Sequence, residues 1–453
     1  MKLNIQSNTI WALLEVLCSA LVLFFIYRIV VHKLGIGALG VWSITLATTS
    51  LVRVVDPGTT VGLGRFVAVA YGRQQTSEVG GYFVTALVST LAFYTVLSVL
   101  VFWPLLKALP LALAGQDLVT AQNLIPYVMV SYLMMNLNSA VQGTLVGMQR
   151  SDLKSQIVIV FLVVQLILVF ALVPGNGLKG LALAQIFQYF LTIIAGYLIA
   201  VKQIQGRYAW WPAFVWNNKR VFDLWSFGLR LQAVSAVSFL YDPVSKFIIS
   251  SVAGVETLGY FEMAQKYILQ VRQLVVGPMA VLMPAFAHIN DRAPNELADL
   301  YRKSLAAAII AGFLMMGAAA ISAPVVSVLW LGRVEALLVI FVLILSAAWF
   351  INIVSSPAYV LAISLGFLKW NFWGAALTFV GSPLLALTIG HLFGAIGVVS
   401  ATVLGMAIGS LFHMIMNCRY AAMPVLVRIS DLREFIVNTY ARLTPFPTGV
   451  RKS

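Results

Sequence analysis

Six charged side chains fall inside two long apolar stretches of the chain, between residues 224 and 289. In chain order they are Arg230, Asp242, Lys246, Glu262, Lys266 and Arg272. A charge at mid-bilayer costs about 2.5–3.5 kcal/mol on insertion scales, so a helix pair facing lipid would not carry six of them. We therefore expect these two helices to line a water-filled interior and to bind charged groups there.

The spacing of four of these residues allows two ion pairs within single helices. Asp242 and Lys246 are four positions apart, as are Glu262 and Lys266, so each pair fits one helix face. One hypothesis is that these pairs only neutralise each other. The two arginines have no acidic partner at helical spacing, so this hypothesis leaves them unexplained.

Four cations face two carboxylates in this region, and the surplus predicts a positive potential. In a low-dielectric setting such a potential attracts anions strongly. Arginine is favoured where phosphate is bound, because its guanidinium can hold two oxygens at once. The residues thus indicate an anionic and amphipathic cargo. Further charges in apolar stretches of the first half are Glu15, Arg53 and Asp56.

The sequence lacks the residue patterns of known enzyme classes. The four histidines are well separated, and no HExxH, Cys/His metal spacing, nucleophile elbow, paired catalytic carboxylates or Walker motif occurs. No polar loop is long enough for a membrane-bound catalytic domain. We expect no enzymatic activity, no catalytic residue, no metal and no cofactor.

The composition is typical of a membrane protein with many spans. Of 453 residues, 61% are hydrophobic and only 10% are charged, with a mean hydropathy of +0.95. Runs of about 20 apolar residues, the length that spans a bilayer, recur almost from end to end. The formal charge of +14 does not indicate a nucleic-acid partner, because the cytoplasmic loops of membrane proteins are basic in any case.

These apolar runs predict an all-α polytopic membrane protein with about twelve transmembrane helices, with boundaries good to about three residues. The predicted spans are Thr9–Val31, Ala38–Val55, Gly80–Leu106, Leu118–Val146, Ser155–Val173, Leu178–Val201, Leu224–Ser250, Leu258–Met283, Ser304–Leu331, Leu337–Leu365, Leu368–Gly390 and Phe393–Met416. Lysine and arginine in the loops predict that both termini are cytoplasmic. With that orientation the cytoplasmic face carries nineteen of these residues and the opposite face carries five.

The two halves of the chain resemble each other in sequence. The matching segments are Gly35–Trp42 with Gly254–Phe261, Arg53–Pro57 with Arg272–Pro278, and Gly177–Ala184 with Gly394–Ala401. All three pairs lie at offsets of roughly 217 to 221 residues, which indicates an internal duplication. Because each half has an even number of spans, the copies are predicted to be two parallel six-helix repeats around a central cavity.

The longest polar interruption lies near the middle of the chain and divides it into domains. Residues 1–205 are predicted to form an N-terminal six-helix bundle, and residues 206–223 a cytoplasmic linker. Residues 224–420 are predicted to form a C-terminal six-helix bundle. Residues 421–453 are predicted to be a cytoplasmic amphipathic tail that lies on anionic lipid.

A set of short motifs runs from the first predicted helix to the fourth. They are Trp11, Arg28, Leu34-Gly35, Leu39-Gly40-Val41-Trp42, Asp56-Pro57-Gly58, Arg65-Phe66-Val67 and the segment from Gln142 to Arg150. Together with the layout of two six-helix halves, these motifs resemble those of bacterial polysaccharide flippases. These flippases, including the O-antigen type, belong to the multidrug/oligosaccharidyl-lipid/polysaccharide superfamily.

The resemblance implies a flippase that moves an undecaprenyl-pyrophosphate-linked oligosaccharide across the bacterial inner membrane by alternating access. The cargo would be an O-antigen or exopolysaccharide repeat unit, as in lipopolysaccharide biosynthesis, and a polysaccharide polymerase and a chain-length regulator are candidate partners. The substrate-binding cations of the lumen would be Arg53, Arg230, Lys246, Lys266 and Arg272. The acids left for coupling or ion pairing are Glu15, Asp56, Asp242 and Glu262.

Two other hypotheses stay open at this point. A cation-coupled drug or metabolite antiporter of the same superfamily would use a membrane carboxylate, Glu15 or Asp242, as its coupling site, although a positive interior disfavours cationic drugs. The other hypothesis is a scaffold for a polysaccharide assembly complex, without transport of its own. Glycosyltransferases and a polymerase encoded beside the gene would favour the flippase.

Overall fold

A computed structural model of the chain describes residues 5–51, 59–206, 217–292, 294–428, 431–433 and 437. Within those ranges the regular secondary structure is helical throughout. The α-helices are α1 (Ile5–Leu34), α2 (Ile36–Ser50), α3 (Thr59–Gly72), α4 (Thr76–Ala108), α5 (Gly115–Gly147), α6 (Ser151–Gln205), α7 (Asn218–Ala253), α8 (Val255–Val276), α9 (Leu282–Arg292), α10 (Pro294–Leu331), α11 (Ala336–Ser364), α12 (Lys369–Thr388) and α13 (Gly394–Tyr420).

The helices confirm the predicted all-α polytopic fold. Each predicted span overlaps a helix in its described part, and the long α6 accounts for two spans because its backbone leaves helical geometry at Gly177. Among the described residues, eight helices are long and apolar enough to cross a membrane, and the shorter α2 is apolar as well. Helix α3 was not predicted as a separate element, and α9 forms where the predicted span from Leu258 to Met283 ends.

The internal duplication is visible in the backbone at two corners. Gly35 has φ 87° and ψ 167°, and Gly254, its counterpart 219 residues later, has φ 86° and ψ 167°. Gly177 has φ 55° and ψ −138°, and its counterpart Gly394 has φ 62° and ψ −148°. Positive φ with these ψ values is accessible mainly to glycine. Equivalent glycines therefore turn the chain in the same way in both halves.

Helix packing repeats in the same order. In the first half α5 packs against α2, α4 and α6, and in the second half α11 packs against α8, α10 and α13. Likewise α1 contacts α6, and α7 contacts α12. The two halves are thus parallel repeats of one six-helix bundle, as the sequence predicts.

The hydrophobic core is shared at one end of the molecule and divided at the other. We call the end that carries Gly35 and Gly254 the glycine face, and the end where α1 begins and α13 finishes the terminal face. Near the glycine face one buried cluster includes residues of both halves, such as Val30, Leu39, Leu258 and Phe341. Towards the terminal face there are two clusters, one mostly within each half. The cores of the two halves are therefore joined near the glycine face and separate towards the terminal face, where the start of α7 packs against α3 and α4 of the first half.

Two equivalent glycines bring α2 and α8 into close contact at the glycine face. A Cβ added to Gly40 would clash with the carbonyl oxygen of Val255, and one added to Gly259 would clash with that of Ile36. Val255 and Ile36 are themselves counterparts at an offset of 219 residues. The contact is therefore symmetric, and small residues permit it as they do in other membrane helix pairs.

The domain boundaries in the middle of the chain stay a prediction. Helix α7 begins at Asn218, inside the predicted linker, and its first turns contact the first half. There Arg220 binds Glu78 of α4 through two hydrogen bonds of 2.9 and 3.2 Å. Most of the predicted linker and of the predicted tail lies outside the described residues.

We expect Gly40→Ala to destabilise the protein, because its methyl group would meet a backbone carbonyl that cannot move aside. Overpacking of this kind costs about 1–3 kcal/mol. Gly37→Ala is the matched control one turn away, where a Cβ would make only an ordinary 3.8 Å contact with Glu256. Thermal unfolding of the purified variants in detergent measures the difference. Equal melting temperatures for the two variants would contradict the close packing of α2 against α8.

Candidate binding site between and within the halves

Glu262 is the most deeply enclosed charge among the described residues. It lies seven residues into α8, about 10 Å along the helix axis from its start, and its side chain is only 2% exposed. Its Oε2 accepts from Lys246 Nζ at 2.9 Å and from Ser43 Oγ at 2.8 Å. Its Oε1 accepts from Tyr27 Oη at 3.1 Å, and Lys266 Nζ lies 3.7 Å away. Four helices, α1, α2, α7 and α8, therefore supply its partners.

The positions of these partners follow the internal duplication. Ser43 and Glu262 are counterparts, since they are 219 residues apart. Tyr27 and Lys246 are counterparts at the same offset, and both bind the Glu262 carboxylate. We call these four residues the axis cluster, because their pairing places them beside the axis that relates the two halves. Within it the second half supplies the charges and the first half supplies neutral hydroxyl groups.

Asp242 extends the axis cluster towards solvent. Its Oδ2 lies 3.0 Å from Lys246 Nζ, and its Oδ1 accepts a 3.1 Å hydrogen bond from Gln265. The Asp242 side chain is 44% exposed, whereas that of Lys246 is 6% exposed. Both ion pairs expected from the i,i+4 spacing are present, but Lys246 also bridges to Glu262 on the neighbouring helix. The ammonium of Lys246 is thus already bound to two carboxylates.

Lys266 lies at the rim of an apolar groove between the halves. The groove has a volume of about 250 Å³ and is formed by α1, α8 and α10. Its walls include Leu17, Leu21, Leu274 and Trp330, whose indole donates to the carbonyl of Phe24 on α1. Lys266 is the charged residue of this lining, and its side chain is 39% exposed. The groove can therefore accommodate an apolar chain that ends in an anionic group.

Arg272 lines a different space, a cavity of about 530 Å³ within the second half whose walls carry both polar and apolar side chains. Its Nε donates to Asn352 Oδ1 at 3.0 Å, and its guanidinium carbon lies 5.0 Å from the ring centre of Trp349. Asn352 in turn donates to Ser410 on α13 at 3.0 Å. No carboxylate is among the described residues that line this cavity. Such an arrangement favours an anion.

The remaining charges named from the sequence are dispersed. Glu15 accepts from Lys154 and from Ser155, both on α6 of the first half. Arg230 falls in the part of α7 whose side chains are not described, and Arg53 and Asp56 lie outside the described residues. The described part of the site therefore comprises Asp242, Lys246, Glu262, Lys266 and Arg272.

Sequence reasoning did not single out several residues of the site. Tyr27 and Ser43 were missed, although adding 219 to their numbers gives Lys246 and Glu262. Asn352 and His413 were missed because they lie on α11 and α13, far along the chain from Arg272. The repeat offset could have revealed the first pair, whereas the second needs knowledge of helix packing.

The fold is shared with solved transporters of low sequence identity. A multidrug resistance transporter of the MATE family, of the MOP superfamily and in an inward-facing conformation, superposes with a TM-score of 0.74 at 14% identity, over 89% of this chain and 94% of that one. The lipid II flippase MurJ, in an inward closed conformation, gives a TM-score of 0.71 at 12% identity, over 98% and 93%. A MATE structure in the straight conformation gives 0.62 at 16% identity, over 92% and 96%. The chain thus has the fold seen in these MATE and MurJ structures.

A family model matches more than half of the chain. The model is described as "Polysaccharide biosynthesis protein" and covers residues 34–334. The chain belongs to this family. Among curated proteins, a sequence comparison gives no match.

We expect Lys246→Met to destabilise the protein strongly, because it leaves the Glu262 carboxylate buried without its closest cation. Breaking one partner of a buried ion pair costs about 3–5 kcal/mol. The double variant Lys246→Met with Glu262→Gln removes both charges, so its free energy of unfolding should fall by less than that of the single variant. Lys303→Met is the control, because Lys303 pairs with Asp299 at the surface, where each side chain is over half exposed and pairs contribute about 0–1 kcal/mol. The measurement is a double-mutant cycle on the free energy of unfolding in detergent. Equal losses of stability in the Lys246→Met variant and in the double variant would show that the buried ion pair does not matter.

Proposed function

We propose that this protein is a flippase for an undecaprenyl-pyrophosphate-linked oligosaccharide, an O-antigen or exopolysaccharide repeat unit, in the bacterial inner membrane. The observation that carries this proposal is the apolar groove with Lys266 at its rim. A polyprenyl tail needs an apolar surface, and its pyrophosphate needs cations. The groove offers both at the boundary between two transporter halves, where alternating access requires a binding site. Membership of a polysaccharide biosynthesis family supports the same cargo class.

The three cations that are described have different surroundings, and we assign them different roles. Lys266 is half-exposed beside the groove and would contact the pyrophosphate. Arg272 lines the cavity of the second half and would contact a further anionic group of the cargo. Lys246 is enclosed by Asp242 and Glu262 and in this conformation holds the axis cluster together. Arg53 and Arg230 remain proposed lumen cations.

Alternating access would begin from the conformation described above. With both termini in the cytoplasm, as loop charge predicts, the joined glycine face is external and the divergent terminal face is cytoplasmic. Opening the glycine face would separate α2 from α8 and break the hydrogen bonds from Ser43 and Tyr27 to Glu262. Glu262 would keep Lys246 as its partner, since both belong to the second half. The charge would therefore stay paired in both conformations.

A cation-coupled antiporter is the second candidate. Asp242 favours it, because a half-exposed membrane carboxylate can bind a proton or a cation. In this conformation Lys246 and Gln265 already bind the same carboxylate, so a coupling ion would have to compete with both. Dye efflux driven by a proton gradient in vesicles, lost in Asp242→Asn, would favour the antiporter over the flippase.

We expect Lys266→Gln and Arg272→Gln to reduce glycan export, because each removes a charge-assisted hydrogen bond to the cargo. Such bonds contribute about 1.5–3 kcal/mol, which corresponds to a loss of roughly 10- to 100-fold in affinity. The measurement is surface polysaccharide in a strain that lacks the native gene, together with lipid-linked intermediates on the cytoplasmic leaflet. Lys219→Gln, at the exposed start of α7, is the control. Normal polymer in both the Lys266 and the Arg272 variant at equal protein level would refute the proposed cargo site.

A further inference from the structure

One buried titratable group in the second half belongs neither to the axis cluster nor to the apolar groove. His413 lies on α13, is 8% exposed, and lines the same cavity as Arg272. Its Nδ1 is buried without a hydrogen-bond partner. The indole Nε1 of Trp349, another lining residue, is also buried and unpaired. Buried polar atoms without partners are rare in native structures and call for an explanation.

The described groups that line the cavity with His413 carry no negative charge. Its ring centre lies 5.7 Å from that of Tyr359 on α11. Arg272 on α8 and Tyr241 on α7 line the cavity with it, and α12 contributes the neutral Asn371 and Thr378. Asp242 on α7 and Glu262 on α8 are bound to Lys246 and are not part of the lining. Among the described residues, the fixed charge of this cavity is therefore the arginine.

These surroundings link the charge on His413 to the contents of the cavity. A second positive charge beside Arg272 is unfavourable in a low-dielectric space that holds no anion. An anion reverses that balance, because it can sit between two cations and accept hydrogen bonds from both. The imidazole is the side chain that most readily changes charge near neutral pH.

We propose that this cavity is a proton-coupled anion site. An oxyanion of the phosphate or carboxylate class binds between Arg272 and His413, and the neutral imidazole of His413 takes up one proton from water as the anion enters. The anion keeps its own charge, and the proton leaves again when the anion departs. The source of the oxyanion is the cargo of the proposed flippase, so this inference rests on that function. The proton partly neutralises the charge that the cargo brings into the membrane.

Sulfate is the probe, because it resembles phosphate and keeps its charge between pH 5.5 and 7.5. We expect sulfate binding to the full-length protein in detergent to weaken as pH rises, by up to about tenfold per pH unit where His413 is neutral in the free protein. Calorimetry in two buffers of different ionisation heat should register proton uptake of up to one per sulfate. Unchanged affinity across this range would overturn the proposal.

Variants assign the effect to the cavity. His413→Gln keeps a hydrogen-bonding side chain but cannot take up a proton, so its sulfate affinity should no longer depend on pH. His413→Asn replaces it if the glutamine variant does not fold. His288→Gln, on the exposed side of α9, is the matched control and should retain the pH dependence. Arg272→Gln should abolish sulfate binding. A pH dependence that survives in both His413 variants would refute the proposal.

The source of the anion is tested by competition. Undecaprenyl pyrophosphate should displace sulfate from the wild-type protein, whereas inorganic phosphate should do so only at far higher concentration. If sulfate binds through Arg272 and His413 but the lipid does not displace it, the cargo assignment of this cavity is wrong. Glycan export in Lys266→Gln tests the flippase separately, because that residue lies outside this cavity. If Lys266→Gln loses export while sulfate binding to the wild-type protein is independent of pH, the proton-coupled site is refuted and the flippase is not.

Discussion

One enclosed carboxylate constrains much of this molecule. Glu262 lies inside the membrane-spanning part of α8 and could not persist there without several donors, because an unpaired buried charge is very costly. Its donors come from four helices, two in each half. The requirement for those donors draws α1 and α2 of the first half against α7 and α8 of the second. The close glycine contacts between α2 and α8 lie one turn from the same point.

The duplication explains why this arrangement is both symmetric and polar. Two copies of one bundle meet at an axis, and each contributes equivalent positions to the same cluster. The copies have diverged in chemistry, so that hydroxyl groups of Tyr27 and Ser43 face the charges of Lys246 and Glu262. In the proposed alternating-access cycle, the hydroxyl groups could bind water at little cost when the halves separate, whereas the ion pair would stay within one half. Divergence between the copies thus produces an interface that can open without leaving a charge alone.

The sequence predicted the fold more completely than the site. Membrane spans follow from apolar length, and the repeat follows from glycine positions such as Gly35 and Gly254, because both are local signals. The ion pairs at i,i+4 were predictable for the same reason. The bridge from Lys246 to Glu262 was not, since it depends on how α7 packs against α8. The cavity of Arg272 was expected at the boundary between the halves, but its lining comes from second-half helices alone.

The central claim is that the halves join at the glycine face and must part there during transport. The most direct test is a pair of cysteines introduced at Gly37 and Glu256, which are counterparts across the axis. These positions are close, because a Cβ at position 37 would lie 3.8 Å from Glu256 Cγ. The background would carry Cys18→Ser and Cys418→Ser. We expect oxidation to cross-link the two introduced cysteines and stop glycan export, and reduction to restore it. Undiminished export by fully cross-linked protein would contradict the account.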